Sequence, residues 1–167
     1  MKFSGLVKTE KGYFMELWFV RHGKAEQRID IPDEQRQLLI QGREEVSKLA
    51  AYLQLNLKNK NASFWSSPLV RAQQTVEVLS APFQEIVQFN HNIAKGDLEQ
   101  LLPLWEHEPT TIQIIVGHEP TLSRWVYQIA HKEIVFETAQ MVKIKVQQWL
   151  PIKGVWIESI IPKNLKM

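Results

Sequence analysis

Short, nearly unbroken apolar runs alternate along the first two thirds of the chain with longer stretches in which apolar residues recur every three or four positions. Leu17–Val20, Ala62–Trp65 and Thr111–Val116 are the runs, and runs of this length predict strands buried on both faces. Between them, residues 35–57 carry Val46, Leu49, Ala50, Leu53 and Leu57 on one helical face, with Glu44, Lys48 and Lys58 off it. Residues 69–80 predict a second helix that ends before Pro82, 85–89 a short strand, 96–106 a helix interrupted by Pro103, and 119–130 a further helix. The last third changes period. Gln140–Val146 alternates strictly and Gly154–Ile160 nearly so, with Pro151 and Lys153–Gly154 between them, which predicts a hairpin at a sheet edge. The expected fold is therefore α/β: one domain of three α/β/α layers around a mostly parallel sheet, closed by a C-terminal edge hairpin.

Three strand ends carry the chemistry. Leu17–Val20 runs into Arg21-His22-Gly23, at the carboxyl edge where open α/β sheets place their ligands; Gly23 is expected to let the backbone turn and a ligand approach. Ala62–Trp65 leads into Ser66-Ser67-Pro68-Leu69-Val70-Arg71. Pro68 suits a first helical turn and Ser66 or Ser67 an N-cap. Arg71 then falls near the positive end of the helix dipole, which costs energy unless a bound anion offsets it. Thr111–Val116 leads into Gly117-His118-Glu119-Pro120. Two guanidiniums suit bidentate contact with phosphate oxygens. One histidine is able to attack phosphorus, and the other to hold oxygens as charge shifts. Arg21, His22, Arg71 and His118 thus read as a phosphoryl pocket.

In these residues the chain resembles the histidine phosphatase (phosphoglycerate mutase-like, Arg-His-Gly) superfamily, and most of all its small SixA-type protein-phosphohistidine phosphatases. The resemblance spans roughly Met15 to the C-terminus. It rests on Phe19–Gly23, on Ser66–Thr75, on Val116–Pro120 and on the ending Pro162–Lys166. It implies a histidine phosphatase-like fold over residues 15–167, a transient phosphohistidine on His22, phosphate binding by Arg21, His22, Arg71 and His118, and no metal or cofactor. It also implies a cytoplasmic enzyme acting on a phosphohistidine-bearing phosphotransfer or signalling protein. Two alternatives stand beside this: a general phosphatase of small phosphate esters, and a module that binds phosphohistidine without turnover.

The departures from the family pattern bear on that choice. Where such chains carry Arg-Pro-Leu-Thr, this one reads Arg36-Gln37-Leu38-Leu39. Larger members place an acidic proton donor in the loop before the second histidine; the matching position here is nearest Asn92, and Asp97 and Glu99 are the neighbouring candidates, equally suited to a helix start. Alkoxide leaving groups need a positioned acid more than an imidazole does, so a site without one favours N–P over O–P cleavage.

Composition narrows the field further. The chain has 167 residues, 44% apolar and 23% charged, enough for one substantial core. With 20 basic against 18 acidic residues the net charge is +2, which argues against a nucleic-acid partner. No cysteine is present, and no apolar stretch approaches the ~20 residues of a membrane span. Residues 1–14 lack the apolar centre of a secretion leader. They are expected to form an arm or extra strand, the alternation in Met1–Val7 favouring a strand, or to reflect a start assigned too far upstream. His91, His107 and His131 share no strand-end position, the six tryptophans suit packing, and Glu44-Glu45 suits a solvated helix face. Lys24, Glu26 and Arg28 suit a solvated loop or the rim of the pocket, and Glu119 suits a helix cap.

Overall fold

A computed structural model describes residues 8–9, 12–13, 15–58 and 60–166. The strand expected over Met1–Val7 lies outside them. The first described elements are two short antiparallel strands, β1 (Lys8–Thr9) and β2 (Gly12–Tyr13). The main sheet has six strands: β3 (Met15–Arg21), β4 (Ala62–Ser66), β5 (Val87–Phe89), β6 (Ile112–Gly117), β7 (Met141–Trp149) and β8 (Ile152–Ile160). Their spatial order is β5-β4-β6-β3-β7-β8. The ladders β5/β4, β4/β6 and β6/β3 are parallel, whereas β3/β7 and β7/β8 are antiparallel. This is the mostly parallel sheet with an edge hairpin that the change of period foretold.

The helices are α1 (Ile40–Asn56), α2 (Val70–Ser80), α3 (His91–Lys95), α4 (Leu98–Glu106) and α5 (Thr121–Ala130). Alternate residues of each central strand serve opposite faces, and this divides the core in two. Trp18 and Val20 of β3, Phe64 of β4 and Ile112, Ile114 and Val116 of β6 pack under α1 and α2. Leu17, Phe19, Trp65 and Ile115 pack with Leu101 and Trp105 of α4 and Leu122, Trp125 and Val126 of α5. Phe19, Trp105 and Trp125 meet with ring centroids 5.8–6.1 Å apart at tilted or edge-on angles, the geometry aromatic quadrupoles favour. Lys143, on the opposite face of β7, is 5% exposed yet satisfied by Glu158, the Tyr52 hydroxyl and the face of Trp18.

Three local expectations are corrected. The helix expected from residue 35 begins at Ile40; Asp33–Gln35 forms a 3-10 turn, and Leu38 instead bridges to Ala25. The helix expected over 96–106 spans Leu98–Glu106, capped by Asp97, and runs through Pro103 without interruption; Gly96, in the left-handed conformation (φ 77°), ends the separate short helix α3 before it. Leu69 takes the N-cap of α2, with no side-chain cap bond, and Pro68 lies before the helix. Ser67 Oγ is needed elsewhere, as shown below. Among the described residues no helix is long and apolar enough to cross a membrane.

Candidate active site

Parallel pairing of β3 with β6 aligns Arg21 with Gly117, so His22 and His118 emerge side by side past the carboxyl edge of the sheet. Their rings stand 5.2 Å apart. The backbone of His22 is clamped on both sides: its N–H donates to the Gly117 carbonyl, and its carbonyl accepts from Ala139 N–H, each at 3.1 Å. Thr75 completes the support. Its hydroxyl accepts from Gly23 N–H at 3.1 Å and donates to the Arg71 carbonyl at 2.7 Å. Gly23 serves packing rather than ligand approach: a Cβ there would lie 2.9 Å from Val46 Cγ2 and 3.0 Å from the Gly42 carbonyl oxygen.

The hydrogen bonds assign the tautomer of His22. Arg71 Nε can only donate, and it lies 3.3 Å from His22 Nε2, so Nε2 carries a lone pair. Nδ1 then carries the hydrogen and donates to the Gly23 carbonyl at 2.8 Å. Ser67 Oγ, which accepts from Leu69 N–H at 3.2 Å, has its own hydrogen free for His118 Nε2 at 2.7 Å. His118 Nδ1 is left buried with no partner in the protein. Arg21 Nη1 donates to the Phe136 carbonyl at 2.7 Å, but Arg21 Nε is buried and unpartnered, as is Arg36 Nε. Arg21, His22, Arg71 and His118 together line a cavity of about 170 Å³, with Lys24, Arg36 and Thr138 in its wall. Two unpartnered guanidinium donors, Arg21 Nε and Arg36 Nε, belong to the same cavity as the His22 Nε2 lone pair. Such an arrangement suits an anion.

Burial is the main cause that holds the His22 imidazolium down, at about 4 against the ordinary 6.5, and the charges of Arg71, Arg21 and Arg36 act the same way; the Gly23 hydrogen bond opposes them. His118 is lowered to about 3, again chiefly by burial and then by His22 and Arg71. Both rings are therefore neutral near pH 7. Because each folded value lies below the unfolded one, the unfolded chain binds the extra protons. Stability is then full above about pH 6.5 and declines as the pH falls toward 4. In an NMR titration of the free protein, the resonance lost in His22→Ala should still report a neutral ring at about pH 5, where a midpoint near 6.5 would contradict this electrostatic account.

The structure separates the remaining candidates. Asp97 caps α4, accepting from Gln100 N–H at 3.3 Å. Glu99 lines a different hollow, with Leu102, Trp149 and Leu150. Neither lines the site, and nor do His91, His107 or His131. Glu119, expected as a cap, instead stands in the pocket wall; its Oε2 accepts from the Ser123 hydroxyl and its Oε1 is buried without a partner. Lys24 does rim the cavity, whereas Arg28 pairs with Asp30 on the surface. Sequence reasoning missed Arg36, Ser67 as a partner of His118, and Thr75. Thr75 had a signal, since it lies four residues after Arg71 on the same helical face. Among the described residues no group of three or more His, Asp or Glu side chains could hold a metal ion.

A family model described as the histidine phosphatase superfamily (branch 1) matches residues 17–150. The chain belongs to this superfamily. An uncharacterized protein of Picosynechococcus sp. is 34% identical over 123 residues, 70% of this chain and 73% of its own. Among solved structures, the protein histidine phosphatase SixA complexed with tungstate superposes with a TM-score of 0.76 at 21% identity, covering 91% of this chain and 100% of that one. A phosphoserine phosphatase from Entamoeba histolytica, in complex with 3-phosphoglyceric acid, gives 0.64 at 14% identity, covering 87% and 96%. At such identities these two likenesses carry the fold, and the substrate has to be argued from the site.

Proposed function

We propose that this superfamily member is a protein-phosphohistidine phosphatase acting on a phosphotransfer or signalling protein. The observation that carries the reading is the small, donor-rich pocket around the His22 Nε2 lone pair. Its volume of about 170 Å³ is well below the ~300–1,000 Å³ of sites that enclose whole small ligands. It accommodates a phosphoryl group whose carrier stays outside, as a phosphorylated side chain on a protein surface would. Nε2 attacks phosphorus, the P–N bond to the substrate imidazole breaks, and that imidazole leaves with a proton taken from solvent. Arg21, Arg71 and His118 hold the non-bridging oxygens. Water then attacks the phosphohistidine of His22 and releases phosphate.

A second reading, a phosphatase of small phosphate esters, is favoured by one observation: Glu119 places a carboxylate with a free oxygen in the pocket wall. A carboxyl group there is placed to protonate an alkoxide. Comparing a phosphorylated phosphotransfer protein with alkyl phosphates, in the wild type and in Glu119→Gln, decides between the two. The phosphohistidine reading expects the protein substrate to be turned over far faster, and Glu119→Gln to change N–P cleavage by less than about tenfold. Faster turnover of alkyl phosphates, with a loss of about 10²–10⁴ in Glu119→Gln, establishes the ester reading instead.

A further inference from the structure

The polar end of Arg71 is engaged within the chain. Beyond the contact of Nε with His22, Nη1 donates to the Asp33 carbonyl at 2.6 Å and Nη2 to Asp33 Oδ2 at 2.9 Å. The other carboxylate oxygen, Oδ1, lies 2.7 Å from Arg36 Nη2. One anion thus bridges two guanidiniums, one of which also contacts His22, which is the contact pattern expected of a phosphoryl group. Arg71 is 5% exposed, whereas the Asp33 side chain is 61% exposed on a loop tip. The arginines hold the Asp33 carboxyl below its ordinary range, against a desolvation that alone would raise it.

We infer that the Asp33 carboxylate occupies in the free protein the place on Arg71 that a substrate phosphoryl group takes, and that Arg36 is a further phosphoryl-binding residue. This rests on the phosphatase reading of the same pocket. Arg36 belongs to the pocket wall and keeps a buried Nε with no partner. Arg36 is also held by contacts that do not involve Asp33. Arg36 Nη1 donates to the Glu26 carbonyl at 3.0 Å, Glu26 N–H to the Gln37 carbonyl at 2.9 Å, and Leu38 N–H to Gln74 Oε1 at 2.8 Å. Asp33 is held by its contacts with the two arginines and by one backbone bond across its 3-10 turn, Arg36 N–H to its carbonyl. A phosphoryl group brings more charge than a carboxylate, about −1.5 to −2, and three acceptor oxygens. It is therefore the stronger ligand for the same two cations, and the exchange frees Arg71 Nη2 and Arg36 Nη2 for it.

Calorimetric titration with inorganic phosphate tests the inference without needing turnover. Asp33→Asn and Asp33→Ala should each bind phosphate roughly tenfold more tightly than the wild type, and Arg36→Ala roughly tenfold more weakly. Thermal melts confirm that each variant is folded. A carboxylate that merely positioned Arg71 would give the opposite sign, so weaker or unchanged binding in both Asp33 variants overturns the inference. Unchanged binding in Arg36→Ala removes Arg36 from the site. Failure of the wild type itself to bind phosphate overturns the phosphatase reading, and this inference with it.

Discussion

His22→Ala should abolish turnover, by on the order of 10⁴-fold or more, because His22 Nε2 is the cavity lone pair that faces Arg71. The fold should survive. The ring lies beyond the carboxyl end of β3, outside both hydrophobic clusters. Its removal leaves only the Gly23 carbonyl and Arg71 Nε without their present partner, a cost of about 1–3 kcal/mol for each group that stays dry. Water that enters the opened cavity lowers that cost. Steady-state kinetics on phosphorylated phosphotransfer protein, with a thermal melt alongside, checks both halves. A folded His22→Ala protein that kept most of its activity would remove the nucleophile from this account.

Arg71→Ala should be the second most damaging change. Arg71 is the buried cation that faces His22 Nε2, and each charge-assisted hydrogen bond it gives a phosphoryl oxygen is worth about 1.5–3 kcal/mol. Losing such a contact in the transition state lowers kcat by roughly 10²–10³. Two side effects accompany it. Arg71 helps keep the His22 imidazolium below its ordinary range, so the ring becomes more basic in the variant. Asp33 also loses one of its two guanidinium partners. Arg71→Lys should restore little, because an ammonium offers a point charge where the planar fork reaches Nε2 and two oxygens at once. Phosphate binding by calorimetry and kcat by initial rates measure the two losses, and unchanged affinity in a folded Arg71→Ala protein would remove Arg71 from the site.

The parts of this site that could be read in the sequence are those set by strand ends. An apolar run followed by Arg21-His22, and another by Gly117-His118, put both histidines at one sheet edge as soon as β3 and β6 pair in parallel. Arg71 follows from its place in the first turn of α2. The change to strict alternation after residue 140 likewise marks β7 and β8. Asp33 was not legible, and Arg36 showed only as the arginine shared with the family's Arg-Pro-Leu-Thr, because the segment between β3 and α1 has no period. It reaches the pocket only by folding back through the Ala25–Leu38 bridge. The Phe136 carbonyl that holds Arg21 is a backbone group and leaves no trace in residue type. Gly96 read as part of a helix because composition does not reveal its left-handed turn. Glu119 was visible beside His118, but whether it caps α5 or faces the cavity depends on a rotamer, and Ser123 settles it.

The central claim is that the phosphoryl group passes through His22 Nε2. Mixing the protein with a phosphorylated phosphotransfer protein, quenching in alkali and mapping the phosphopeptides tests it directly. The account predicts an alkali-stable, acid-labile phosphate on the peptide containing His22, at Nε2, formed and lost at rates that match turnover. Phosphate release with no such intermediate, or with the phosphate on another residue, would contradict it.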